Sequence, residues 1–222
     1  MSDWTTLTSA DGTQLSAYVA GNPDSGRGLV IIQEVFGVNH HIRNVCERYA
    51  NEGYLAIAPA LFDRIETGVE LNYDEVGVAK GVEIVGKLST ENALKDIEAA
   101  LEYLGHRRKA IIGFCWGGTL AWIAASKSDN LDAAVGFYGG GIAVSKDIEI
   151  KRPVQLHFGM EDPHIPQSDV LAIAAAHPVI DVFSYPGAGH GFCCDERDSF
   201  HQASADLAKE RALNFLSINL GG

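Results

Sequence analysis

Short apolar runs that alternate with helix-periodic stretches are what most limit how this chain can fold. Gly28 to Gln33 is a near-continuous apolar run, the pattern of a strand covered on both faces. From His40 to Glu52 the apolar positions Ile42, Val45, Cys46, Tyr49 and Ala50 recur at helical spacing, which predicts a helix with Cys46 as a small core hydrophobe on its buried stripe. Gly53 closes that helix and Tyr54 to Ala58 reads as a second buried strand. Residues 59–70 lack a period and read as a loop, and residues 72–87 read as a weak helix. Ser89 and Thr90 offer caps for a stronger helix, with Ala93, Leu94, Ile97, Ala100, Leu101 and Leu104 on one face. Strands follow at 109–114, 132–137, 153–158 and 179–185, and helices at 119–126, 167–176 and 200–217. Near the start, residues 4–9 and 15–20 flank Asp11-Gly12, a hairpin turn signal. Strands alternating with helices imply a mostly parallel sheet with helices on both faces. No linker, repeat or low-complexity tract divides residues 1–222, so a single α/β domain is expected.

Charge and composition remove several function classes. Seventeen Lys and Arg against twenty-nine Asp and Glu give a net charge of −12, which repels phosphate backbones and anionic membrane surfaces and disfavours a nucleic-acid binder. No apolar stretch approaches the roughly 20 residues that span a bilayer. The opening MSDWTTLTSADGT lacks a basic start and an apolar core, so no signal peptide is expected and the location reads as cytoplasmic. Cys46, Cys115, Cys193 and Cys194 show no C-x-x-C spacing and are too few for a disulfide framework in a chain of this length. Cys193 and Cys194 receive no role. His40 and His41 are neighbours that cannot face the same way on a helix; both read as solvated residues in its first turn, and no metal site is expected.

The chemistry is concentrated in Gly113-Phe114-Cys115-Trp116-Gly117-Gly118, between a buried strand and a helix. This is a G-x-nucleophile-x-G elbow with Cys where Ser is commoner. So tight a turn needs small residues on either side of the nucleophile. It lifts the Cys115 side chain clear of the sheet and sets the sulfur at a helix N-terminus, where the dipole favours thiolate. The Trp116 N–H would then point toward a developing oxyanion. Taken alone, the motif also fits a buried Cys in a Gly-rich turn. Two further residues weigh against that: Asp162 follows the strand at 153–158, and His190 sits in the Gly-rich loop after the strand at 179–185. Nucleophile, acid and histidine come in the order of an α/β-hydrolase triad, each past the end of a strand, where open α/β sheets place their ligands. Tyr138, ending another strand, reads either as a site residue or as packing. Phe36 and Trp116 read either as cleft lining or as core filling, with lining favoured.

From about Gly28 to Leu216 the chain resembles the dienelactone hydrolases, through Gln33-Glu34-Val35-Phe36-Gly37, the elbow, Gly159 to Pro166 and Tyr185 to Phe192. The resemblance implies the α/β-hydrolase fold, no cofactor, and cleavage of an enol-lactone ring to maleylacetate during breakdown of aromatic compounds. It implies that Glu34 is a partner of Cys115 and that Val35 supplies a second oxyanion donor. Arg64, in Pro59-Ala60-Leu61-Phe62-Asp63-Arg64, matches an arginine that grips the substrate carboxylate. A second family arginine, four residues past the histidine, is replaced here by Cys194, with Arg197 near but out of register.

These observations point to a hydrolase of lactones or activated esters that takes a small, anionic substrate; they leave the oligomeric state open, with a monomer favoured. Cys115 would attack the acyl carbon, His190 would exchange protons and Asp162 would orient it. A thiolate is a good leaving group as well as a good nucleophile, so an activated enol leaving group suits it and an amide does not. A general ester or thioester hydrolase is the nearest alternative. A redox-sensing thiol protein comes last, because a sensor needs no ordered Asp and His.

Overall fold

Ser2–Thr8 (β1) and Gln14–Ala20 (β2) pair antiparallel, in register from Ser2 opposite Ala20 to Thr8 opposite Gln14. The turn between them is closed by the Ser9 N–H donating to the Thr13 carbonyl at 2.8 Å, around Asp11-Gly12 as expected. This computed structural model describes residues 2–221, and the chain divides into two compact units, Met1–Ile111 and Ile112–Gly222. The division falls inside the strand Arg108–Phe114 (β5), with no linker there.

In the first unit β2 pairs antiparallel with Leu55–Pro59 (β4), which pairs parallel with Arg27–Ile32 (β3). The apolar run of β3 is fully buried from Leu29 to Ile32, each such side chain contributing roughly 1.5–3 kcal/mol of transfer free energy. Asn39 caps His40–Asn51 (α1), its side chain accepting from the Ile42 N–H at 3.2 Å. The buried stripe of α1 carries Ile42, Val45, Cys46 and Tyr49, and burial raises the Cys46 thiol pKa well above its ordinary value, keeping it a neutral core group. His41 corrects the sequence reading. His40 is exposed, but His41 is fully buried, its ring 6.5 Å from that of Tyr73, because the first turn of α1 directs it to the same face as Ile42 and Val45 rather than to water. The expected loop at 59–70 contains a 3-10 turn at Leu61–Arg64. Two helices follow, Glu75–Lys87 (α2) and Thr90–Tyr103 (α3), capped by the side chains of Asp74 and Ser89.

The second unit begins at the end of β5 and continues with Trp116–Lys127 (α4), Ala133–Phe137 (β6), Val154–Gly159 (β7), Gln167–Ala176 (α5), Asp181–Tyr185 (β8) and Gln202–Leu220 (α6). Strands β6, β7 and β8 are parallel neighbours in that order. β6 and β7 are buried throughout, and α6 packs on both. Arg211 of α6 lies over the ring of Phe183 in β8, 4.1 Å from its centroid, covering the more exposed outer strand with an aliphatic stem and a cation–π contact. Among the described residues no helix is long and apolar enough to cross a membrane.

Candidate active site

Cys115 joins β5 to α4 with φ 54 and ψ −118, a conformation that L side chains rarely adopt. Local contacts hold it there. Its N–H donates to the Phe137 carbonyl at 2.9 Å, and its own carbonyl accepts from the N–H groups of Gly118 and Thr119. The elbow requires glycine at 113, where a Cβ would lie 1.9 Å from the Gly117 carbonyl oxygen. Trp116 is the first residue of α4, so its N–H belongs to the turn whose donors point out of the helix end.

The loops after β7 and β8 are joined to each other. The Glu161 N–H donates to the Ala188 carbonyl at 2.9 Å, and a Cβ on Gly159 would lie 2.3 Å from that same oxygen. This close backbone approach brings Asp162 to His190. Asp162 Oδ2 accepts from His190 Nδ1 at 2.7 Å and Oδ1 accepts from the His164 N–H at 2.8 Å. The carboxylate group has no exposed surface, and the imidazole is 14% exposed. A carboxylate only accepts, so His190 carries its proton on Nδ1 and turns the other nitrogen away from Asp162. Cys115 is the second side-chain hydrogen-bond partner of His190. Burial is the largest influence on the imidazole and acts to lower its pKa, but hydrogen bonds to Asp162 and Cys115 and the charges on both raise it well above the ordinary histidine value.

His157 in β7 shows the opposite outcome. It is fully buried, accepts from or donates to Tyr185 Oη at 2.7 Å through Nδ1, and bonds Gln155 Oε1 at 3.0 Å through Nε2. Burial pushes it down to about 3, helped by the Arg211 charge, and it remains neutral. Its backbone carbonyl accepts the Tyr138 N–H at 2.8 Å.

Tyr138 is fully buried with φ 39, its ring 5.1 Å from that of His190 and 5.6 Å from that of Phe192. It therefore backs the imidazole. His164, to which sequence reasoning gave no role, is exposed and stands edge-on to His190 at 5.4 Å between ring centroids. Only its position two residues past Asp162 hinted at this, since loop geometry decides where the ring goes.

The second unit thus brings together Cys115, Trp116, Tyr138, Asp162 and His190. The remaining candidates lie in the first unit. Glu34 is fully buried just past β3, beside Gln33, whose Oε1 accepts the Leu61 N–H at 3.2 Å. Val35 follows, and Phe36 is 2% exposed with its ring 4.5 Å from Tyr73, which is core packing rather than an open wall.

Arg64 departs furthest from its expected role. Nε and Nη2 donate to the Asp96 carboxylate at 2.6 and 2.8 Å, both Nη atoms reach Asp11 at 2.9 and 3.2 Å, and Nη1 reaches Thr13 Oγ1 at 3.0 Å. Those contacts engage all five guanidinium donors. The Asp96 carboxylate is fully buried and also accepts from Ser9 Oγ at 2.5 Å. The hydrogen bond to Arg64 is the largest influence holding the Asp11 carboxyl below the usual range. The fork that was to grip a substrate carboxylate already holds two of the protein's own. Cys193 is half-buried and Cys194 buried, and neither is in a disulfide. Among the described residues no three His, Cys, Asp or Glu side chains gather to hold a metal ion.

A thiol at a helix start, an imidazole bonded to it and a buried carboxylate fixing the imidazole tautomer can carry out nucleophilic acyl transfer. Residues 15–220 match the dienelactone hydrolase family. Carboxymethylenebutenolidase from Pseudomonas putida is 33% identical, over 95% of this chain and 94% of its own. A Synechocystis protein named as a candidate carboxymethylenebutenolidase is 36% identical over 87% of each chain. A crystal structure from Klebsiella pneumoniae subsp. pneumoniae, named as a candidate dienelactone hydrolase, superposes with a TM-score of 0.84 at 30% identity, covering 98% of both chains.

Proposed function

Since the chain belongs to the dienelactone hydrolase family, we propose that it is an ester hydrolase that opens lactones and enol esters with Cys115 as nucleophile. One observation carries the reading. The residue on the strained elbow is a cysteine, and its side chain is hydrogen-bonded to a histidine whose other nitrogen is held by a buried carboxylate at 2.7 Å.

The raised histidine pKa favours imidazolium, and a neighbouring cation is what supports a thiolate nucleophile. Cys115 Sγ adds to the acyl carbon, and the carbonyl electron pair moves onto oxygen, opposite the N–H groups at the start of α4. As the tetrahedral species collapses, the carbon–oxygen ester bond breaks and the enolate leaves, taking a proton from His190. Water then gives a proton to His190 and its oxygen to the thioester carbon. The carbon–sulfur bond breaks, releasing the thiolate and a carboxylic acid, which gives its proton to solvent. Asp162 keeps the imidazole in the tautomer that both halves require.

The name of the Pseudomonas putida relative suggests a carboxymethylenebutenolide, a five-membered enol lactone bearing a carboxylate. The commitment of Arg64 to Asp11 and Asp96 favours a second reading, in which neutral activated esters or thioesters are turned over as well. A turnover panel of cis-dienelactone, 4-nitrophenyl acetate and an acyl thioester, run with unmodified protein and with Cys115→Ala, tests both. Lactone hydrolysis that Cys115→Ala abolishes supports the proposal. Ester turnover without lactone turnover favours the second reading, and turnover that survives in Cys115→Ala removes the nucleophile.

A further inference from the structure

His164 is a solvent-exposed imidazole packed edge-on against His190, its ring 5.4 Å away and nearly perpendicular at 89°. Its backbone is fixed by the same carboxylate that orients His190, through the 2.8 Å bond from the His164 N–H to Asp162 Oδ1. A residue exposed only because a loop passes through solvent has no such anchor on its neighbour's partner. Here one carboxylate bonds the ring of His190 and the backbone of His164. Tyr138 packs 5.1 Å from the His190 ring and edge-on to Phe192, whereas the ring contact from His164 comes from a solvent-exposed residue.

The chemistry of His190 indicates what passes that edge. In acyl transfer to Cys115, the group protonated by His190 is the departing oxygen. The part of the substrate nearest His190 is therefore the leaving group, and an exposed imidazole beside His190 borders the leaving-group side. An imidazole offers at least one N–H donor in either protonation state. We infer that His164 determines leaving-group specificity, donating a hydrogen bond to an oxygen acceptor carried by the departing enol or phenol. The inference rests on the reading of Cys115 and His190 as the reacting pair.

Acetate esters separate the two ideas. The probes are 3- and 4-acetylphenyl acetate, whose leaving groups carry a carbonyl acceptor, and 4-trifluoromethylphenyl acetate, an activated ester whose substituent is a far weaker acceptor. In His164→Phe, kcat/KM for the better acetylphenyl ester should fall five- to tenfold relative to the trifluoromethyl ester, mostly through KM. His164→Gln, which keeps an N–H donor, should recover most of that ratio. Iodoacetamide labelling of Cys115 should proceed equally in all three proteins, because the reacting pair is intact. A ratio unchanged in His164→Phe, or His164→Gln behaving like His164→Phe, overturns the inference while the parent reading stands. Failure of unmodified protein to hydrolyse any of the three acetates overturns the inference, and lactone turnover that survives in Cys115→Ala overturns the parent reading.

Discussion

Cys115 and Tyr138 are the two non-glycine residues with positive φ among those described, at 54° and 39°. They are linked through one bond, from the Cys115 N–H to the carbonyl of Phe137, the residue before Tyr138. Strained backbone of this kind costs on the order of 1–3 kcal/mol per residue and persists only where its surroundings over-determine it. Here one strained strand end presents the sulfur and the next presents the ring that backs His190.

That strain is measurable. Cys115→Gly removes the steric penalty at φ 54, against roughly 0.5–1 kcal/mol of extra backbone entropy for glycine. Cys115→Gly should therefore unfold at a higher temperature than Cys115→Ala, although neither turns over ester. A calorimetric Tm for Cys115→Gly equal to or below that of Cys115→Ala would show the elbow to be relaxed.

Gly113→Ala tests the other side of the turn. Its Cβ would meet a backbone oxygen at 1.9 Å, and backbone cannot rotate away as a side chain can. The elbow must shift by about an ångström, which should cost about 3 kcal/mol of stability and roughly a hundredfold in kcat. Urea unfolding and single-turnover kinetics measure the two effects. A variant with wild-type turnover would mean that the elbow tolerates the shift.

The elbow and the strand-end loops were legible because their signals are local: glycines at fixed offsets and polar residues just after apolar runs. That order sufficed to anticipate Cys115, Asp162 and His190 as neighbours. Arg64 was not legible in this way. Its partners Asp11 and Asp96 lie 53 and 32 residues away, and only the packing of the β1–β2 turn and α3 brings them in. Nearby Asp63 instead caps other backbone, accepting from the Ser16 and Gly68 N–H groups. His41 failed for a related reason, since which face of a helix start is buried depends on what packs over it. The 5.4 Å contact of His164 with His190 depends on a loop path that no periodicity encodes.

Arg64 accordingly gives a stability prediction. Arg64→Met leaves the buried Asp96 carboxylate with Ser9 Oγ but without its cation, which should cost about 3 kcal/mol. Arg64→Lys should recover only part, because an ammonium cannot bond Asp96 and Asp11 through a planar fork. Denaturant unfolding measures both. If instead stability is unchanged and KM rises only for a carboxylate-bearing lactone, the arginine serves substrate after all.

Asp162→Asn brings the electrostatics of the site together. Against burial, which lowers the His190 pKa, its hydrogen bonds to Asp162 and Cys115 raise it. Removing the carboxylate should move the His190 titration down, visible as a lower midpoint for its ring protons by NMR. The asparagine side chain can also present its NH2 to the ring and so favour the wrong tautomer, and kcat should fall by about three to four orders of magnitude. The effect on stability has a definite sign. A histidine raised in the folded state contributes stability in full below its unfolded value of about 6.5 and loses it as pH rises through the folded value. The stability gap between unmodified protein and Asp162→Asn should therefore be widest near pH 6 and shrink steadily into the alkaline range. Urea midpoints across that range would show it, and a gap that is constant or that widens with pH would mean that Asp162 acts on His190 by packing rather than by charge.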